Sequence, residues 1–148
     1  MIFLVKRKSL RKKLTLRKNS VYYKHMTNTL IDSYLEQAFP LCMELPRQKK
    51  HVSFILHKNR IVATGRNFFK THPKAKVIGY PFDEMHSELD AYRKVPYNLR
   101  DKKLTLLTVR FNRFGDLRMA KPCELCLPWC QEIFHDIHYT TDQGIITL

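Results

Sequence analysis

The chain has 148 residues, 44% of them apolar, with one Trp, seven Tyr and nine Phe. That supports one ordinary hydrophobic core, excludes a disordered chain and leaves little room for a second domain. Its 27 Lys+Arg against 13 Asp+Glu leave +14 at pH 7, a balance that supports a polyanionic partner.

The excess is uneven. Residues 1–24 hold nine Lys/Arg and no acid, giving +9; residues 25–148 hold eighteen against thirteen, giving +5. The first segment is expected as a basic N-terminal arm and the second as the folded domain. The arm's runs Lys6-Arg7-Lys8 and Arg11-Lys12-Lys13 are interrupted by Leu10, Leu14 and Leu16. They suit either a solvated extension or an arm that binds nucleic acid. No run approaches the ~18–20 apolar residues of a membrane span. The apolar start MIFLV precedes the charges, the reverse of a secretory signal. An acid-free, Arg-bearing arm leaves mitochondrial targeting open.

Along the chain, Leu30, Ile31, Tyr34, Leu35, Ala38, Leu41, Cys42 and Leu45 recur near a 3.6 period and predict a helix over 28–45. Asn28 would cap it, Pro40 would kink or divide it, and Cys42 falls on its apolar stripe. Residues 51–57 and 60–65 read as a hairpin turning at Lys58-Asn59. Residues 66–84 read as a long polar loop, with Pro73, Gly79 and Pro81. A helix over 85–95 ends at Pro96. Residues 104–111 (LTLLTVRF) look like a buried central strand. Asn112–Gly115 turns the chain, and Leu117–Ala120 is expected as a short return strand. Helical pattern resumes by Trp129. Residues 137–140 and 145–148 read as two final strands, antiparallel through a turn at Asp142–Gly144. This order places the domain in the α/β or α+β classes.

The chemistry concentrates in His86-Ser87-Glu88 and Pro122-Cys123-Glu124-Leu125-Cys126. The cysteines are Cys42, Cys123, Cys126 and Cys130, three of them within eight residues. That is poor spacing for a disulfide framework. It suits metal-binding thiolates in a reducing compartment, cytoplasm or nucleus. Cys-x-x-Cys offers two thiolates with the bite zinc prefers, and a distant third ligand would leave one tetrahedral position open, the pattern of catalytic zinc. On a regular helix His86 and Glu88 would point about 200° apart. Both can serve one site only if the pair straddles a helix start. Pro-Cys suits a helix beginning as well.

These paired motifs resemble the signature of the zinc-dependent cytidine deaminase superfamily, over roughly residues 28–148. The resemblance implies an α/β, three-layer fold: a central mixed sheet of about five strands flanked by helices. It implies zinc held by His86, Cys123 and Cys126, with Glu88 as proton shuttle and not a ligand. The implied activity is hydrolytic deamination of a nucleobase, cytosine favoured, in a free nucleotide or a single-stranded nucleic acid. Gly65-Arg66-Asn67 resembles the family's Gly-x-Asn, which makes Asn67 a substrate-binding candidate. Phe68 could stack on a base, and Lys121 could line a phosphate path with Arg66, Lys70, Lys74 and Lys76. Relatives frequently pair or form tetramers, so a homo-oligomer is an open expectation.

Departures from the family pattern are visible too. Pro128 follows Cys-x-x-Cys closely, so the helix there is expected to kink or to begin only at Pro128. Cys130 adds a thiol that would either sit in the core or close a four-ligand structural site. The stretch 110–121 intervenes before Pro-Cys, and no room remains for a C-terminal helix. The alternative reading is a non-catalytic, zinc-stabilised module that binds nucleic acid. His135 and His138 read as structural or exposed.

Overall fold

A computed structural model of the chain describes residues 28–46, 50–70, 72–77, 79 and 84–148. The expected arm, residues 1–24, lies outside them. The apolar stripe read from the sequence forms helix α1 (Asn28–Glu44). Asn28 is its first residue rather than the residue before it, and the helix continues through Pro40 without division. Lys50, itself buried, closes its far end: Nζ donates to the carbonyls of Cys42 and Leu45 at 3.1 Å and of Met43 at 3.4 Å. A cation on the last carbonyls satisfies acceptors that no helical N–H reaches.

Strands β1 (His51–His57) and β2 (Arg60–Arg66) form the expected hairpin. Lys58 and Asn59 take φ of 49° and 62°, as a two-residue type I′ turn requires at both positions. Neither is glycine, and left-handed backbone costs such residues about 1–2 kcal/mol each. A hydrogen bond from Tyr34 Oη to the Asn59 carbonyl, 2.6 Å long, holds the turn against α1.

The sheet has the order β2-β1-β3-β4-β5. Strand β3 (Thr105–Arg110) pairs antiparallel with β1 and parallel with β4 (Asp136–Thr141), which pairs antiparallel with β5 (Gly144–Thr147). Between them run a short α2 (Pro73–Val77), α3 (Ser87–Arg93) and α4 (Cys126–Ile133). Side chains alternate between the two faces of a strand. Val52, Phe54, Leu56, Leu107 and Val109 pack with α1, while Ile55 and Leu106 pack with α3 and α4. The fold is thus three-layered, α/β/α, with a mixed five-stranded sheet and an antiparallel final pair, as expected. A sheet covered on both faces explains why β1 and β3 read as continuous apolar runs.

Three expectations about the connections are corrected. Part of the 66–84 loop is helical, at α2. Residues 117–120 form no strand: Leu117 makes only an isolated bridge with Phe111, and Ala120 N–H bonds the Thr140 carbonyl. Helix α4 begins at Cys126, two residues before Pro128. Pro128 thus lies in the first turn, where its missing N–H removes no intrahelical bond. Among the described residues no helix is long and apolar enough to cross a membrane.

Candidate metal centre

His86 immediately precedes α3 in extended backbone, at φ −78° and ψ 155°. Cys126 opens α4, and Cys123 sits in the turn that feeds it, with its carbonyl accepting from Leu127 N–H at 2.8 Å. The expected helix starts are therefore present, α4 three residues later than the Pro-Cys pair. His86 Nδ1 lies 3.6 Å from Cys123 Sγ and 3.6 Å from Cys126 Sγ. The three donor atoms lie within 4.8 Å of one another and could hold a metal ion. Among the described residues this is the only cluster of three or more His, Cys, Asp or Glu so placed.

The thiols are unequally poised. Hydrogen bonding with Cys126 holds Cys123 down to about 3, with help from His86 and the backbone N–H groups of Cys126 and Leu125. Cys126 is pushed far up by holding the shared proton, by burial and by the charge of Glu88. A metal cation between the two sulfurs would take over that proton's place. Cys130 is fully buried in the core beside α3, and burial raises its thiol. It is not in the ligand cluster, which leaves the closed four-ligand site without its fourth member. Cys42, on the buried face of α1, packs into the core against the sheet. His135 is exposed and faces Asp136, while His138 is buried with Nδ1 2.8 Å from Thr147 Oγ1.

Glu88 follows His86 by two residues and is buried. Burial raises its carboxyl above the usual range, opposed by its own backbone N–H, by His86 and by a hydrogen bond from Ser87. It is not one of the three clustered donors, although its charge is felt at Cys126.

Gly65 explains how α3 comes so close to the sheet. A Cβ there would stand 2.0 Å from the Ser87 carbonyl oxygen and 2.2 Å from the Ala91 nitrogen. The sequence places Gly65 at a strand end and in the Gly-x-Asn resemblance; in the fold it is also the floor on which the helix bearing Glu88 rests. Asn67 serves the same helix: its Oδ1 accepts from Ser87 N–H at 2.8 Å. Phe68 exchanges backbone hydrogen bonds with Met85 at 2.9 and 3.0 Å, and its partly exposed ring lies 5.9 Å from Lys94 Nζ. Lys121 is exposed beside buried Pro122. Lys70 and Lys76 are exposed, and the side chain of Lys74 lies outside the described residues.

Two neighbours of the centre were not legible as such. His51, at the start of β1, is lowered to about 4 by burial and by the charges of Arg110 and His86, with Cys123 opposing. Its only sequence signal is that β1 starts where its antiparallel partner β3 ends. Asp90, fully buried on α3, accepts from Arg66 N–H at 3.0 Å and pairs with Arg93 and Lys94 at 2.7 Å each. It ties α3 to the end of β2, and so to Asn67 and Phe68. No family model, no curated protein and no solved structure matches this chain.

Proposed function

We propose that this chain is a zinc-dependent hydrolase that deaminates a nucleobase, cytosine favoured, in a nucleotide or a single-stranded nucleic acid. The observation that carries the reading is the division of labour at the start of α3. His86 joins two cysteines in a metal-sized cluster, while Glu88, two residues on, is buried beside them and outside it. Zinc bonds of about 2.3 Å to sulfur and about 2.0–2.1 Å to nitrogen, at a tetrahedral angle, separate the two atoms by about 3.6 Å. Both His86–Cys separations are 3.6 Å.

When bound, zinc supplies Lewis-acid activation of a water. Glu88 takes a proton from that water at a carboxylate oxygen and gives one to the ring nitrogen of the base. A second transfer through Glu88 goes to the amino group, which leaves as ammonia while the ring carbon gains the oxygen. A carboxyl raised by burial suits a group that must both accept and donate. Asn67, its Oδ1 committed to α3, would meet the substrate through Nδ2. Phe68 offers a stacking face and Lys121 a phosphate contact. The net charge of +14, of which +9 lies on residues 1–24, supports a phosphate-bearing substrate.

The test uses zinc-loaded protein with cytidine, dCMP, single-stranded DNA and RNA, reading ammonia and base conversion. Glu88→Ala is expected to keep its zinc and lose turnover. Turnover that survives this change sinks the role given to Glu88. Nucleic-acid binding without conversion of any substrate would instead favour the non-catalytic module.

A further inference from the structure

Three hydroxyls lie fully buried between the sheet and α3: Ser53 on β1, Thr108 on β3 and Ser87 at the start of α3. Ser53 and Thr108 are register partners. Ser53 Oγ is 3.2 Å from Thr108 Oγ1 and 2.8 Å from Ser87 Oγ. Ser87 Oγ in turn donates to Glu88 Oε2 at 3.2 Å. The four groups form one chain running from the middle of the sheet to Glu88.

Proton counting gives the chain a direction. A hydroxyl has one proton and two acceptor positions, and an ionised carboxylate only accepts. While Glu88 is ionised the Ser87 proton is therefore committed to it, so Ser87 can only accept from Ser53. The Ser53 proton is then committed to Ser87, so Thr108 must donate to Ser53. Within the fully buried stretches 52–56 of β1 and 106–109 of β3, Ser53 and Thr108 are the two hydroxyl residues, and both lie on the face toward α3. On the opposite face Val52, Phe54, Leu56, Leu107 and Val109 are all apolar.

We propose that Ser53 and Thr108 are positioning residues for Glu88. They hold the Ser87 hydroxyl in its donor orientation, which fixes Oε2 and leaves the other carboxylate oxygen to exchange protons. Only the kinetic consequence rests on the deaminase reading; the directed chain itself does not.

Thr108→Val removes the hydroxyl with little change of shape, Thr108→Ser keeps it, and Ser53→Ala removes the middle link. In zinc-loaded, full-length protein, ammonia release from dCMP and cytidine is measured with kcat and KM separated. Each variant removes a neutral hydroxyl link and loosens the Ser87 hydrogen bond to the Glu88 carboxylate, which predicts roughly a tenfold fall in kcat for Thr108→Val and for Ser53→Ala. The double variant should fall no further than the worse single, because the links act in series. Thr108→Ser should retain kcat, and KM and zinc content should stay unchanged throughout. Independently of turnover, the carbon-13 resonance of the Glu88 carboxylate, assigned by its loss in Glu88→Gln, should move in Ser53→Ala and Thr108→Val. It should not move in Tyr34→Phe, which removes a buried hydroxyl elsewhere. A resonance that stays put in Ser53→Ala and Thr108→Val overturns the chain. Equal kcat in Thr108→Val and Thr108→Ser overturns its kinetic role. A resonance that moves in a protein that releases no ammonia from cytidine, dCMP, single-stranded DNA or RNA keeps the chain and removes the deaminase reading.

Discussion

Gly65→Ala is the change that tests most directly how the fold builds the centre. The added Cβ would stand 2.0 Å from the Ser87 carbonyl oxygen, 2.2 Å from the Ala91 nitrogen and 2.8 Å from the Ala91 Cα. Real Cβ atoms essentially never approach closer than 3.0 Å, so the helix must retreat by about 1 Å or more. All three obstacles are backbone, and no side chain can rotate away. Overpacking a well-filled site costs typically 1–3 kcal/mol, and rigid backbone places this case at about 3 kcal/mol or above. For a domain of this size, 3 kcal/mol lowers Tm by roughly 10 °C. The retreat carries Ser87 and Glu88 with it, and His86 at the helix mouth. His86 Nδ1 would leave its 3.6 Å spacing from both sulfurs. Gly65→Ala is therefore expected to lose metal affinity as well as stability, whereas Cys130→Ser, a change in the same core, should lose mainly stability. Thermal unfolding by circular dichroism and metal content after dialysis measure the two losses. An alanine variant that melts with the wild type and holds a full complement of metal would refute the argument.

The other predictions concern charge. His51 is lowered in the folded chain to about 4 from the ordinary 6.5, so the unfolded chain binds more protons between those values. Stability should be complete above about pH 6.5 and fall by on the order of 2–3 kcal/mol as pH drops toward 4. Urea titrations at several pH values should show this slope and show it reduced in His51→Gln; an unchanged slope excludes His51 as its source. Asp90→Ala strips a buried acceptor from Arg66 N–H, Arg93 and Lys94. Because both cations are partly exposed and can turn to water, the expected loss is about 2 kcal/mol rather than the 3–5 of a fully buried pair. A loss within error of zero in urea unfolding would contradict the clamp. In the metal-free protein at pH 6, Cys123 should already be a thiolate and Cys126 a thiol. Ultraviolet thiolate absorbance should therefore show one thiolate, absent in Cys123→Ala, and zinc should raise the signal by about one more equivalent. Two thiols at pH 6 would contradict the pairing.

The layers and the three candidate metal donors were legible because their signals are local. Apolar period marked α1, continuous apolar runs marked β1 and β3, and the resemblance of two short motifs to a zinc signature marked His86, Cys123 and Cys126, whose donor atoms lie close enough together to hold a metal ion. Pro128 misled because a proline breaks a helix interior but not its first turn, and only the observed start at Cys126 decides which applies. Residues 117–120 misled because strand-like composition needs a neighbouring edge, and here the chain makes only single bridges. The supports of the site left no local mark. Ser53 meets Ser87 across 34 residues and Thr108 across 55, and Arg66 N–H meets Asp90 across 24. Such pairings depend on register and on the height of α3 above the sheet, neither of which a single sequence displays.

The supports converge on one short helix. Seven residues of α3 are too few to hold a helix by their own backbone bonds. Asn67 satisfies its first N–H group, Gly65 lets it lie on β2, Asp90 ties it to Arg66, and Ser87 joins it to the sheet's hydroxyls. Each of these contacts falls within one turn of His86 or Glu88. A structural metal site would need only the ligand held. Here the carboxylate two residues from His86 has a support of its own as well, the Ser87 hydroxyl at 3.2 Å. That second set of constraints is what the proposed acid–base role of Glu88 would require, since a carboxylate that gains and loses a proton must keep one geometry while it does so.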